Sequence, residues 1–508
     1  MKLGIAALAG VAVGQKYVSL PFSKSGVEEL HRRDDWVDVD LVNEKTFYGV
    51  EIGIGTPMQN VTVQLDTGSS DFWVMGADNA FCKSNRGKKP KGSATILDPG
   101  TRGFPTATNG IPYAEKTIQC QKYGVFNSTN SSTFKDNNTD FLVVYGSEAY
   151  ASGNWGTDEV TVGGMKVDNV SIGVANFSNN TYGILGIGFP ALESTGSLLS
   201  NVSAANSSLE NESPYMNFPQ LLKERGLINK VAYSLFLNSS KAKTGSILFG
   251  AVDHSRYEGT LYSLPIVRSD RDYGSKAPFE TVITLDSISW GTEGNLTVGT
   301  EGKIGALLDS GTATTIIPLD WFQNLTDSLG GEIDENFNGL RLPKCPKKKE
   351  NPQISFQFSG VNITFDMKNI IVKHKGKCYL DINISPDSTT IIGANVLNNM
   401  YAVFDLEDYK IAIAKASTTY NESQIEEISD DIPSAVSAPQ YSATYSAVSE
   451  VVNVLAPTDD DSSSASASAT GKSVKLARRA VETANIGMST KATSSLALAF
   501  AFMVTLFL

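Results

Sequence analysis

The sequence predicts a mainly β protein built from two related halves, and three observations support this. Residues 46–74 show strand-like alternation of apolar and polar side chains, punctuated by turn residues. The same β-branched, turn-rich texture recurs to about Ala414, with helical patterns only at 218–225 and near Trp321 and Val396. Each half also contains an Asp-centred turn of similar sequence. A tandem of two equivalent β lobes is therefore expected.

The first predicted element is a β-hairpin that leads into an aspartate. Residues 47–55 alternate, the triplet Gly55-Thr56-Pro57 forms a turn, and residues 61–65 form the returning strand. This strand runs directly into Asp66.

The internal duplication links two separate motifs in each half. Residues 63–70 read Val-Gln-Leu-Asp-Thr-Gly-Ser-Ser, and residues 306–313 read Ala-Leu-Leu-Asp-Ser-Gly-Thr-Ala. An apolar-apolar-Gly triplet follows each of them, at 184–186 and at 391–393. Because Asp and Gly are common turn residues, either Asp turn alone is most simply a β-turn. Their repetition in the same order favours two matching lobes.

Two carboxyl groups on facing turns predict a specific chemistry. Glycine at 68 and 311 lets each backbone bend sharply next to Asp66 and Asp309. Neighbouring hydroxyls can hydrogen-bond the carboxylates, and the candidate supporting residues are Thr67, Gly68, Ser69, Ser310, Gly311 and Thr312. Two adjacent carboxyls do not both ionise readily, so one would act as base on a water and the other as acid. This chemistry needs no metal, no cofactor and no covalent intermediate.

These motifs resemble the signature set of the pepsin-like aspartic proteases. The matching segments occur in the family's order and span about 47–414: residues 66–70 with Trp73, 143–147, 183–188, 309–312 and 391–393. The resemblance implies a bilobal fold with the active site in the cleft between two β lobes. Asp66 and Asp309 would be its catalytic dyad.

The resemblance also implies roles for a flap that closes over substrate. Tyr145 and Gly146 would lie on the flap and bind substrate, with Trp73 as the partner of Tyr145. From the sequence alone, Tyr145 could equally be an ordinary strand aromatic and Trp73 a core residue. Glu148 would face a basic substrate side chain, although a solvated carboxylate fits this position as well.

The N-terminus is typical of a secreted precursor. Residues 1–14 contain Lys2, an apolar run and small residues at plausible cleavage positions, which predicts a signal peptide rather than a buried helix. Residues 15–33 would be a propeptide that is cut after Arg33, because a dibasic pair lies at this position. The alternative is that this pair is an ordinary solvated surface feature.

The C-terminus predicts a surface anchor. Residues 417–485 are rich in Ser, Ala and Thr and are expected to form a disordered, glycosylated stalk. Residues 486–508 match a glycosylphosphatidylinositol (GPI) attachment signal that is removed on maturation, with Asn485 as the anchor site and Gly487 as the second choice. The competing interpretation is a tail-anchored helix, although the final apolar run is short for a membrane span.

The lobes and their cysteines complete the predicted organisation. The N-terminal β lobe would cover 34–230 and the C-terminal β lobe 231–416. Four cysteines allow three pairings, and their distribution between the halves favours Cys82 with Cys120 and Cys345 with Cys378. Many Asn-x-Ser/Thr triplets, crowded between 127 and 211, indicate surface loops and agree with secretion.

Composition excludes several other functions. The net charge of −12 argues against a nucleic-acid-binding protein. The chain has three histidines but no H-E-x-x-H zinc motif, and it has no G-x-S-x-G elbow, so metallo- and serine hydrolases are disfavoured.

The chain ends, taken with the motifs, resemble the fungal GPI-anchored yapsin-type branch. This resemblance implies a monomeric, cell-surface endopeptidase that cuts polypeptides next to Lys or Arg, in precursor processing or in shedding of cell-wall proteins. Its expected partners are polypeptide substrates, the membrane through the anchor, and cell-wall glucan. The alternative is a catalytically silent, glycosylated adhesion or display protein of the cell wall on the same fold.

Overall fold

The structure is a computed structural model. It describes residues 37–43, 47–79, 81–82, 118–147, 149–195, 215–239, 242, 244–269, 277–334, 339–347, 349–417, 419 and 422–446. The predicted signal peptide, the cleavage site at Arg33, the flap residue Glu148 and the anchor site Asn485 lie outside these residues.

Strands dominate the first half, as the sequence predicts. They are β1 (Val37–Asn43), β2 (Tyr48–Ile54), β3 (Gln59–Asp66), β4 (Phe72–Met75), β5 (Lys135–Val144), β6 (Tyr150–Val162), β7 (Met165–Ser178), β8 (Gly183–Gly186), β9 (Ala232–Phe236) and β10 (Thr244–Phe249). The predicted hairpin corresponds to β2 and β3, which pair in antiparallel register from Gly49 with Gln64 to Ile54 with Gln59.

The second half repeats this pattern. Its strands are β11 (Ala251–Asp253), β12 (Tyr257–Pro265), β13 (Val282–Thr292), β14 (Asn295–Leu308), β15 (Thr315–Ile317), β16 (Glu332–Asp334), β17 (Gly339–Arg341), β18 (Gln353–Phe358), β19 (Val361–Asp366), β20 (Ile371–His374), β21 (Lys377–Ile384), β22 (Thr390–Ile392), β23 (Met400–Asp405), β24 (Lys410–Ala416), β25 (Ile425–Glu427) and β26 (Val436–Ser437).

The three helical predictions are confirmed. Helix α1 spans Phe218–Glu224, α2 spans Leu319–Ser328 and α3 spans Ala394–Leu397. The Asn217 side chain caps α1 by accepting a hydrogen bond from the Gln220 amide. Short 3₁₀ helices occur at Cys120–Lys122, Ser128–Asn130, Pro190–Leu192, His254–Arg256 and Met367–Ile370.

A large sheet joins the two sequence halves. Its strand order is β26-β12-β24-β23-β9-β10-β1-β2-β3-β8-β4-β7-β6-β5. The predicted lobe boundary between residues 230 and 231 falls just before β9, which pairs with β10 and β23. Because β10 pairs in turn with β1, hydrogen bonds run continuously from the N-terminal strands to the C-terminal ones.

The internal duplication predicted from sequence is visible in the strand pairing. In the first half, β8 runs parallel to β3 and antiparallel to β4. In the second half, β22 runs parallel to β14 and antiparallel to β15. The two apolar-Gly triplets thus lie beside the strands that lead to the two aspartates.

Both predicted disulfides are present. Cys82 pairs with Cys120 and Cys345 pairs with Cys378, with Cα–Cα distances of 5.5 and 5.2 Å. Each therefore closes a loop within one half of the chain.

The prediction of a disordered stalk from residue 417 is wrong for residues 422–446, here called the C-terminal strap. Within the strap, β25 pairs with β11 and β26 pairs with β12. The side chains of Ile428, Ile432 and Ala438 are buried. A few correctly spaced apolar residues thus dock a segment that is polar on average, which is why its composition misled the prediction.

Some predicted glycosylation sequons also differ from the expectation of loops. Asn137 lies in β5, Asn176 in β7, Asn362 in β19 and Asn383 in β21. A polar side chain on one face of a strand can still reach solvent, so a sequon alone does not mark a loop. Across the described ranges, no helix is long and apolar enough to cross a membrane.

Candidate active site

Two aspartates lie at the ends of equivalent strands. Asp66 is the last residue of β3, and Asp309 directly follows β14. The Asp66 carbonyl accepts a hydrogen bond from the Ile187 amide, and the Asp309 amide donates to the Ile392 carbonyl. The turn residues are thus held against the neighbouring strand in both halves. Both aspartates are buried, at 6% and 8% exposure.

The hydrogen bonds around the two carboxyls are matched. Gly68 N donates to Asp66 Oδ1 over 2.8 Å, and Ser69 Oγ donates to Asp66 Oδ2 over 2.5 Å. In the second half, Asp309 receives the same two bonds, from Gly311 N to Oδ1 over 2.7 Å and from Thr312 Oγ1 to Oδ2 over 2.6 Å. The predicted supporting roles of Ser69 and Thr312 agree with this geometry.

The two turns approach each other so closely that only glycine fits. A Cβ atom on Gly68 would lie 2.7 Å from Asp309 Cγ, and one on Gly311 would overlap Asp66 Oδ1. Each glycine therefore faces the carboxyl group of the opposite turn. This places Asp66 and Asp309 together at the junction of the two turns.

Thr67 and Ser310 act differently from the sequence prediction, because their hydroxyls do not bond the carboxyls. Thr67 Oγ1 donates to the Leu308 carbonyl over 2.7 Å and accepts from Ser310 N over 3.0 Å. Ser310 Oγ donates to the Leu65 carbonyl over 2.9 Å and accepts from Thr67 N over 3.2 Å. These four buried bonds cross from one turn to the other. These bonds fix the spacing of the two aspartates, and they do not contact the carboxyl groups themselves.

Electrostatics favour a single proton on the aspartate pair. Burial raises the pKa of Asp66 well above its usual range, and the negative charge of Asp309 and a hydrogen bond between the two side chains raise it further. The bonds from Ser69 and Gly68 oppose this shift. The pair therefore retains a proton in acid while one oxygen remains available as a base. Among the described residues, no group of three or more His, Cys, Asp or Glu could hold a metal ion.

A β-hairpin carries Tyr145 towards the aspartates. The hairpin is formed by β5 and β6, and it is closed by a hydrogen bond from Tyr145 N to the Ala149 carbonyl. Trp73 Nε1 donates to Tyr145 OH over 2.7 Å, so the predicted partnership of these two residues is present. A side chain at Gly146 would meet no atom within 4 Å, which leaves the hairpin tip open.

Several residues near the site escaped the sequence analysis. Gln64 Nε2 bonds the Gly311 carbonyl over 2.6 Å and so adds another link between the turns. Asp71 and Glu193 are buried carboxyls that Tyr215 connects. Asp71 could have been noticed, because a charged residue directly before the apolar run Phe72–Met75 is unusual. No local signal pointed to the other residues, since their contacts join distant parts of the chain.

Comparison with known proteins identifies the family. Residues 47–416 match the family model of eukaryotic aspartyl proteases. The chain belongs to this family. The protease is 38% identical to aspartic proteinase 3 of Saccharomyces cerevisiae, over 86% of this chain and 84% of that protein. It is 36% identical to aspartic proteinase yapsin-3 of the same yeast, over 88% of this chain and 84% of that protein.

A solved structure supports the fold independently. The crystal structure of aspartic proteinase from Irpex lacteus matches the protease with a TM-score of 0.55 at 22% identity. The match covers 75% of this chain and 98% of the other. The predicted pepsin-like fold and the similarity to yapsins are thus confirmed, and the chain is an aspartic endopeptidase.

Proposed function

We propose that this protease is a secreted, cell-surface endopeptidase that uses Asp66 and Asp309 to cut proteins next to Lys or Arg. Its substrates would be precursors that need processing or cell-wall proteins that are shed. The observation that carries the proposal is the facing arrangement of the two turns, in which each glycine contacts the opposite carboxyl.

The proposed mechanism follows from one proton shared by two buried carboxyls. A water between them loses a proton to the ionised aspartate as its oxygen attacks the scissile carbonyl carbon. The protonated aspartate hydrogen-bonds the carbonyl oxygen and stabilises the charge that develops there. The proton taken from water then passes to the leaving nitrogen as the C–N bond breaks. Tyr145 closes over the substrate from the flap.

Acidity supports the preference for basic substrates. The chain has a net charge of −12 at neutral pH. An overall negative charge favours the approach of cationic peptides. Glu148 on the flap is proposed to contact the basic side chain directly.

Cleavage of matched peptides at mildly acid pH tests both the reaction and the preference. Each peptide with Lys at the scissile position is paired with one that has norleucine, which keeps the aliphatic stem but lacks the charge. We expect kcat/KM to be roughly tenfold or more higher for Lys, the size of one charged hydrogen bond. A statine-type inhibitor, whose hydroxyl replaces the attacking water, should abolish cleavage. Equal cleavage of both peptides contradicts the preference, and no cleavage of either favours the adhesion or display protein.

The anchor is proposed from the C-terminal sequence. The polar residues after the strap would form the stalk. A GPI anchor at Asn485 would attach the protein to the membrane, and the protein could then be transferred to cell-wall glucan. We expect phosphatidylinositol-specific phospholipase to release the protein from intact cells in soluble form. A variant carrying a genuine transmembrane helix in place of 486–508 serves as the control. Retention of the wild type alongside this control would support a tail-anchored helix instead.

A further inference from the structure

A second pair of buried carboxyls lies beside the flap, apart from the aspartate dyad. Asp71 directly precedes β4, five positions after Asp66, and its side chain is 2% exposed. Glu193 directly follows the 3₁₀ helix Pro190–Leu192 and is fully buried. Charged side chains are rarely buried to this extent without a cation.

Tyr215 connects the two carboxyls. Its hydroxyl donates to Asp71 Oδ1 over 3.0 Å, and its backbone amide donates to Glu193 Oε2 over 3.0 Å. The amide of Ser194 donates to Asp71 Oδ2 over 2.9 Å. The other oxygen of Glu193, Oε1, is buried and accepts no hydrogen bond of normal geometry in the described part of the chain, although the nearby Thr195 side chain lowers the pKa of this carboxyl. A protonated carboxyl is less costly to leave in this position than an ionised one.

Tyr215 also reaches the flap through aromatic packing. Its ring centroid lies 5.1 Å from that of Trp155. Tyr215 and Tyr145 both pack against the same buried cluster, which includes Trp73 and Trp155. Tyr215, which connects the two carboxyls, therefore packs against the same cluster as the flap residue Tyr145.

The electrostatics oppose ionisation of both groups at once. Burial raises the pKa of Glu193 to about 9, and the charge of Asp71 contributes to this shift. Burial also raises the pKa of Asp71 to about 6, although the bonds from Ser194 and Tyr215 oppose the shift. No described Lys, Arg or His offsets either charge. The other titratable groups that face this region are Tyr215 and Tyr145, and Tyr145 is also influenced by the charge of Asp66.

We propose that Asp71 and Glu193 are positioning residues, at least one of which stays protonated. The pair thereby keeps Tyr215 packed against the cluster that also holds the Trp73–Tyr145 contact. The proposal rests on the proposed function, in which Tyr145 closes over substrate. When the last proton leaves, two buried anions repel each other across Tyr215, and burial penalises both charges. The flap contact then loses its support, so activity falls as pH rises.

The direction of the pH effect follows from the raised pKa values. Both carboxyls bind protons more tightly in the folded protein than in the unfolded chain, where Asp and Glu have ordinary values near 3.8 and 4.5. Their contribution to stability is complete below those values. It is lost as pH rises, through about 6 for Asp71 and about 9 for Glu193.

The decisive variant is Glu193→Gln, because glutamine has the shape of a neutral Glu and cannot ionise. It can still accept the bond from the Tyr215 amide. We expect the alkaline limb of the kcat/KM profile to move to higher pH by about one unit or more. In contrast, Glu193→Ala removes the acceptor and should raise KM even in acid.

A second readout separates this proposal from the proposed function. The pH midpoint of tryptophan fluorescence, measured without substrate, should move upward with Glu193→Gln, because Trp73 and Trp155 lie in the cluster. The matched control is Asp381→Asn, which neutralises a half-buried carboxyl whose pKa is also about 6 but which lies in β21. Overturning results would be an unchanged midpoint in Glu193→Gln, an equal shift in Asp381→Asn, or a fluorescence shift without an activity shift. If no peptide is cleaved, the fluorescence result still decides whether the pair holds the cluster.

Discussion

Replacing Asp309 with asparagine should lower kcat by roughly 10²–10⁴-fold, the range expected when a positioned acid or base is lost. Asparagine keeps the side chain's size and can still accept the bond from Gly311 N, but it can neither take a proton from water nor hold the shared proton. The negative charge that raises the Asp66 pKa also disappears. The pKa of Asp66 should then move back towards its ordinary range. The measurement is kcat on a peptide substrate across acid pH.

The control for this experiment is the same chemical change at Asp381, a half-buried carboxyl of the same half. Asp381 lies in β21, where its carboxylate interacts with Asn395 rather than with the dyad. Asp381→Asn should leave kcat within a few-fold of wild type. If Asp309→Asn cleaved as fast as this control, the paired-carboxyl mechanism would be wrong.

Local sequence patterns were sufficient for the elements that carry the dyad. Alternation and a turn triplet predicted the β2–β3 hairpin, and the repeated Asp turns predicted the matching positions of Asp66 and Asp309. The pairing of the cysteines followed from their distribution between the halves. These features depend on short-range periodicity and turn chemistry, which a single sequence records directly.

Contacts between distant segments could not be predicted in the same way. The hydroxyls of Thr67 and Ser310 were expected to serve their own aspartates, but they bond the opposite turn, 241 to 245 residues away in sequence. The carboxyl of Glu193 gave no signal, because it depends on Tyr215 and Asp71 for its environment. Such positions are specified by packing between lobes rather than by local propensity.

The strap is the clearest case in which composition misled, and its packing predicts a large effect on stability. Ile428 is fully buried and Ile432 is 5% exposed. The Ile428 amide also donates to the Gly250 carbonyl over 2.7 Å. Near the same edge, the buried Lys230 contacts Asp405 and Asp408 and also bonds the Asp430 carbonyl. The strap therefore covers apolar strands and completes a buried ionic group.

Ending the chain at residue 417 instead of 446 should destabilise the protease by about 3–6 kcal/mol. This is the value of burying two aliphatic side chains at about 1.5–3 kcal/mol each. Urea unfolding of the two forms, with disulfides intact, measures the difference.

Ile428→Ala in the longer form should cost about 2–5 kcal/mol of stability. Val436→Ala, at a strap residue that is 48% exposed, should change stability by no more than about 0.5 kcal/mol. Equal free energies of unfolding for the 417 and 446 forms would mean that the strap does not stabilise the lobe. A loss of stability in the shorter form and in Ile428→Ala, but not in Val436→Ala, would make the strap part of the catalytic domain.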